Sequence, residues 1–94
     1  MELEVSESLR STGYQFSREY PLGPFVYDFA FTALHLIIEI DGRSYHWSEQ
    51  RKRRDRAKTR YASELGWKLV RIPSGPKCAL LAEKAVLDRE QELA

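Results

Sequence analysis

The stretch LIIEIDGRSYH, residues 36–46, sets a problem that decides the fold. Leu36, Ile37, Ile38 and Ile40 are apolar and mostly β-branched, the composition of a buried strand. Glu39 and Asp41 interrupt it. They share one face with Ile37, because side chains alternate along a strand and neighbours on a face stand about 7 Å apart at Cα. A buried carboxylate without a partner is costly, so two in one strand of a small protein call for a reason.

The flanking sequence places this strand third in a series. Residues 2–12 read as a short helix with Leu3, Val5 and Leu9 inward and Gly13 ending it. Residues 14–20 alternate as a half-buried strand, PLGP (21–24) reads as a turn, and FVYDFAF (25–31) as a second strand. Regular alternation there puts Phe25, Tyr27, Phe29 and Phe31 on one face and Val26, Asp28 and Ala30 on the other. The third strand spans residues 34–41. A helix follows over 49–65, with Ala57, Tyr61 and Leu65 at four-residue spacing and Gly66 as its stop. Residues 67–72 form a fourth strand. Residues 77–92 form a closing helix with Leu80, Leu81, Val86 and Leu87 as its apolar residues. The order α-β-β-β-α-β-α predicts an α/β protein, a mixed four-stranded sheet flanked by helices.

The chain has 94 residues, which predicts one domain over 1–94. A single cysteine, Cys78, allows no intrachain disulfide and fits a reducing cytoplasm. No apolar run approaches the roughly 20 residues that span a bilayer, and nothing reads as a signal peptide, so no membrane partner is expected. The net charge of +1 conceals an asymmetry. Between Glu49 and Arg60 there are seven basic residues and two acids, against eight and twelve in the remainder. Such a segment suits a polyanion; a solvated, salt-bridged helix surface is the competing explanation.

A tight connection near Thr32 and Ala33 makes the second and third strands antiparallel neighbours, which brings Asp28 towards Glu39 and Asp41. Three converging carboxylates repel unless a cation sits among them. Hard oxygen donors suit Mg²⁺ or Mn²⁺. The alternative is that the acids pair with Arg43, Arg71 or the helix arginines. His46, five residues beyond Asp41, could reach back as an acid, a base or a ligand. His35 reads as structural, and Trp47 as packing against the core.

These residues carry a resemblance. FSREYPLGPFVYDFAF (16–31), LHLIIEIDGRSYH (34–46) and RRDRAKTRYASELGWKLVRI (53–72) resemble small bacterial and phage endonuclease-domain proteins related to very-short-patch repair endonucleases. Those belong to the PD-(D/E)XK superfamily, with the restriction-endonuclease-like fold. The resemblance covers about residues 2–73. It implies an α-β-β-β-α-β core, here with an extra C-terminal helix. It also implies Asp28, Glu39 and Asp41 as metal-site acids, His46 as a further catalytic group, and Glu2 as an additional acid. Tyr27 stands where the superfamily name has proline, and Asp41 where it has lysine, so water activation would fall to the ion or to His46.

The function expected is a Mg²⁺- or Mn²⁺-dependent endonuclease acting on nucleic acid, DNA before RNA, in the cytoplasm of a bacterial or phage-infected cell. Arg51, Arg54 and Lys58, on one helix stripe, together with Arg18 and Arg71, are the expected phosphate contacts. One site per chain nicks; a homodimer is what a concerted double-strand cut would require. The competing functions are a nucleic-acid-binding module that does not cut, and a phage accessory protein acting through protein contacts.

Overall fold

The computed structural model describes residues 2–41 and 48–94, the side chains of residues 2 and 3 apart. The elements are α1 (Glu2–Arg10), β1 (Ser17–Leu22), β2 (Phe25–Phe31), β3 (Leu36–Asp41), α2 (Glu49–Glu64), β4 (Lys68–Pro73) and α3 (Cys78–Leu93). They form one sheet in the order β1-β2-β3-β4. The first two pairings are antiparallel, and β3 runs parallel to β4, with α2 as the crossover. This is the expected mixed sheet with flanking helices and a C-terminal helix.

Each sheet face carries its own core. Under α1 and α3 lie Val5, Leu9, Phe29, Phe31, Leu36, Ile38, Ile72 and Val86. Under α2 lie Tyr27, Ala30, Ile37 and Ala62, flanked by Phe25, Trp67 and Leu69.

Several local expectations are corrected. The first strand begins at Ser17 and runs through Pro21 and Leu22, leaving a two-residue turn at Gly23 and Pro24. A proline is tolerated there because β1 is an edge strand. Tyr14 and Phe16 precede the strand, and the Phe16 ring packs 5.7 Å from Phe29 and 5.3 Å from Phe31. The expected single aromatic face of β2 is divided: Phe25 and Tyr27 face α2, whereas Phe29 and Phe31 face α1 and α3. The switch falls at Asp28. Opposite it, between the pairs Arg18–Phe29 and Tyr20–Tyr27, Glu19 takes a left-handed φ of 49° that breaks the regular pleat.

The helix faces also differ from expectation. In α2 the buried residues are Lys58 and Ala62, while Ala57 and Leu65 are exposed. In α3 the buried stripe is Cys78, Ala82, Ala85 and Val86, and Leu80, Leu81 and Leu87 face outward. Small residues allow α3 to lie close against α1, where Ser6 is also fully buried. The ends of α2 follow the sequence: Ser48 accepts the Arg51 N–H at its start, and Gly66 adopts φ +87° beyond its end.

Candidate active site

The β2–β3 ladder pairs Phe31 with Leu36, Ala30 with Ile37 and Phe29 with Ile38, then stops. The next facing residues would be Asp28 and Glu39, and here side chains replace backbone partners. The Asp28 N–H donates to Glu39 Oε2 at 2.9 Å. The Ile40 N–H donates to Asp28 Oδ2 at 2.8 Å. The two carboxylates thus satisfy donors that would otherwise be lost where the strands separate. That is one physical reason Glu39 is tolerated in its strand.

Lys58 supplies another. Its ammonium donates to Glu39 Oε1 at 2.6 Å and to the Val26 carbonyl at 2.8 Å, and lies 4.7 Å from the centre of the Tyr27 ring. Both partners of the ion pair are buried. The Tyr27 hydroxyl donates to the Lys58 carbonyl at 2.8 Å, so the backbone of α2 is fixed to the same strand. Burial and the nearby Glu39 push the Tyr27 phenol up, in favour of this donating form.

Asp41 follows on the same face and is half-buried. Burial lifts its carboxyl above the ordinary range; Arg71 and Arg51 oppose the lift, and Asp55 and Glu39 add to it. Arg71 is anchored from three sides. It donates to the Asp55 carbonyl at 2.8 Å and to Thr59 Oγ1, and its Nε lies 3.8 Å from Asp41 Oδ1.

Asp28, Glu39, Asp41, Asp55, Arg51 and Arg54 all line one open cleft of about 650 Å³, with Lys58 at its inner wall. The expected three acids therefore share a cavity. Carboxylate oxygens are the donors a hard divalent ion takes, and Asp28, Glu39, Asp41 and Asp55 bring four of these side chains to one cleft, so the residues fit such an ion in kind. Their convergence is looser than expected. Among the described residues no group of three His, Cys, Asp or Glu is assembled to hold a metal. Glu39 directs its two oxygens to Lys58 and the Asp28 N–H, and Asp28 directs Oδ2 to Ile40.

Two expected phosphate contacts are relocated. Lys58 is not on an exposed stripe with Arg51 and Arg54 but beneath them, paired with Glu39. Arg18, on β1, does not line the cleft. It pairs with Phe29 of β2 and lines a separate cavity of about 500 Å³ with Arg10, Tyr14 and Phe16. Arg71 lies beside the cleft acids, engaged by α2. His46, Trp47, Gly42 and Arg43 lie outside the described residues, as does the side chain of Glu2. His35 sits in the β2–β3 turn with its ring 5.1 Å from Trp67.

The residues that build this cleft fall within 1–76, and that span matches the family model REase_MTES_1575, a restriction-endonuclease family. The chain belongs to this family. Helix α3 lies beyond the matched span. The fold of this chain is also similar to a solved structure, the homing endonuclease I-Bth0305I catalytic domain, with a TM-score of 0.64. That similarity covers 98% of this chain and 88% of the other at 15% identity, and so concerns the fold. No curated protein matches this REase_MTES_1575 chain.

Proposed function

We propose that this protein is a divalent-metal-dependent endonuclease that hydrolyses phosphodiester bonds in DNA. The observation that carries the reading is the Asp28–Glu39 junction, set at the end of a ladder in a cleft overhung by Arg51 and Arg54. A cleft with carboxylates inside and guanidiniums at its rim suits a phosphodiester: the arginines draw the anion in, and the acids hold the ion it needs.

Asp28, Glu39 and Asp41 would hold the Mg²⁺ or Mn²⁺. When held there, the ion would lower the pKa of a water, neutralise phosphate charge and stabilise the leaving oxygen. Arg51 and Arg54 would hold the backbone through its phosphates, a contact independent of sequence. Asp41, on the same face as Glu39, would also orient the attacking water. His46 supplies or removes a proton, and Glu2 is an additional acid. Arg71 holds Asp41 and α2 in register.

Among the described residues no helix is long and apolar enough to cross a membrane. The proposed setting is the cytoplasm of a bacterial or phage-infected cell. Each chain would nick one strand, and a concerted double-strand cut would require a homodimer. A binding module that does not cut is the second reading, and the Lys58–Glu39 pair favours it, because it satisfies a catalytic acid without an ion.

Incubation with supercoiled, single-stranded and branched DNA in Mg²⁺, Mn²⁺ or EDTA tests both. The nuclease converts at least one substrate with metal and none with EDTA. Retention of labelled DNA with no cleavage under any condition would establish the binding module instead.

A further inference from the structure

Glu39 and Lys58 are the buried charged residues among those described, and they contact each other at the inner wall of the cleft. Placing an ion pair in a low-dielectric site is expensive unless its remaining hydrogen-bonding capacity is met. Here it is met closely. The ammonium has three N–H donors; Val26 and Glu39 take two, and the Tyr27 ring face lies within cation–π range. Glu39 Oε2 is held by the Asp28 N–H, which leaves Oε1 as the oxygen whose partner is a side chain on a flexible stem.

We propose that Lys58 is a positioning residue of the metal site: it is the resident cation of the metal-free cleft, holding Glu39 in place, and it yields Oε1 to the divalent ion on loading. This rests on the metal-dependent reading above. The fold shows why an exchange is feasible. The Asp28–Glu39–Ile40 hydrogen bonds keep the Glu39 carboxylate aligned whether or not Oε1 changes partner. The Lys58 head is at the cleft, not sealed away from it, and Asp55 lines the same space as an alternative anion. A lysine four-carbon stem can move its charge without moving the helix. The proposal also explains why the three acids are not drawn together: one of them already has a cation.

Competition has a direction. Mn²⁺ must displace the ammonium from Glu39, so removing the ammonium should tighten Mn²⁺ binding. The test is Mn²⁺ affinity measured by electron paramagnetic resonance of the free ion, at fixed pH and salt. The proteins are the wild type, Lys58→Met, Lys58→Arg and Asp28→Asn. Lys58→Met should bind at least about tenfold more tightly than wild type, and Lys58→Arg no more tightly. Wild-type or weaker affinity in Lys58→Met overturns the proposal. If wild-type binding then persists and Asp28→Asn loses it, the metal reading itself stands. No binding by any of the four proteins removes both.

Should Lys58→Met fail to fold, the wild type answers alone. The Lys58 ammonium, protected by its ion pair, should give an observable ¹⁵Nζ resonance that loses protection at saturating Mg²⁺. A resonance unchanged by Mg²⁺, or never protected, overturns the exchange.

Discussion

Asp28 and Glu39 meet at the point where the β2–β3 ladder ends, and the Glu39 carboxylate accepts the Asp28 N–H at 2.9 Å. A carboxylate in this position has two tasks, closing a strand end and facing a cleft.

The two acids should therefore respond differently to neutralisation. Asp28→Asn and Glu39→Gln should each slow cleavage at least about a hundredfold, roughly 2.7 kcal/mol of barrier. Asn at position 28 can still accept from Ile40, so stability should change little. Gln at position 39 strands the Lys58 ammonium, and breaking a buried pair costs about 3 kcal/mol. Loss of one of several repelling acids would have been expected to stabilise the apo protein; the ion pair reverses that sign at Glu39. Urea unfolding of both variants checks this. Equal stability would show that Lys58 does not depend on Glu39.

Removal of divalent ions should abolish cleavage, and added Mg²⁺ or Mn²⁺ should restore it. Three hard oxygen donors in one cleft motivate the expectation. Undiminished cleavage after EDTA treatment would dismiss the ion from the mechanism.

Arg51 and Arg54 line the cleft, whereas Arg53 and Arg56 do not. Replacing the first pair with Gln should weaken binding to all duplexes alike. The slope of log affinity against log salt should fall by about 0.9 per lost phosphate contact. Replacing Arg53 and Arg56 should leave the slope nearly unchanged. Fluorescence anisotropy across a salt series measures it, and identical slopes for both double variants would mark the basic run as a solvated surface.

The Asp41 carboxyl has its pKa raised, chiefly by burial. A raised carboxyl pKa means that the folded state binds the proton more tightly than the unfolded state. Asp41 therefore contributes stability at low pH, and this is lost as pH rises through its folded pKa, above the ordinary 3.8. Asp41→Asn should flatten that part of the Tm-versus-pH curve and be neutral or stabilising at pH 7 without metal. A variant that is less stable than wild type at neutral pH would show that the Arg71 contact outweighs the burial.

Gly23 adopts φ +59° in the β1–β2 turn, and a Cβ there would strike the Tyr61 ring. Gly23→Ala should cost about 1–2 kcal/mol from the left-handed backbone alone, with a further loss from displacing Tyr61. Thermal unfolding reads the effect, and an unchanged Tm would mean that the turn relaxes freely.

The architecture was legible because apolar periodicity and glycine punctuation lie in the chain itself. Gly13 and Gly66 follow helix ends with φ of +87°, and β2 runs over the residues its aromatic run announces. The three cleft acids were legible for a different reason: Glu39 and Asp41 are anomalous in a β-branched strand, and the tight turn after Phe31 brings Asp28 opposite them. Lys58 was not. Within RKRRDRAK it resembles its neighbours, and only tertiary packing turns that one position of α2 inward. The one clue was spacing, since Lys58 stands four residues before Ala62 on the buried face. The divided aromatic face of β2 was equally hidden. It coincides with a left-handed residue at Glu19 opposite Asp28, a type that gives no warning of it.

The sheet order β1-β2-β3-β4 has a consequence in time. The three-stranded meander over residues 17–41 is built from local pairings, whereas β4 and α2 must close a longer loop before they are rewarded. The meander is expected to form first, and pulse-labelled hydrogen exchange would show the Phe29 to Phe31 amides protected ahead of those in β4. Asp28 and Glu39 would then be in place before their lysine arrives. In that order of events the carboxylate pair would stand open until α2 docks, and the docking would bring Lys58 to neutralise Glu39.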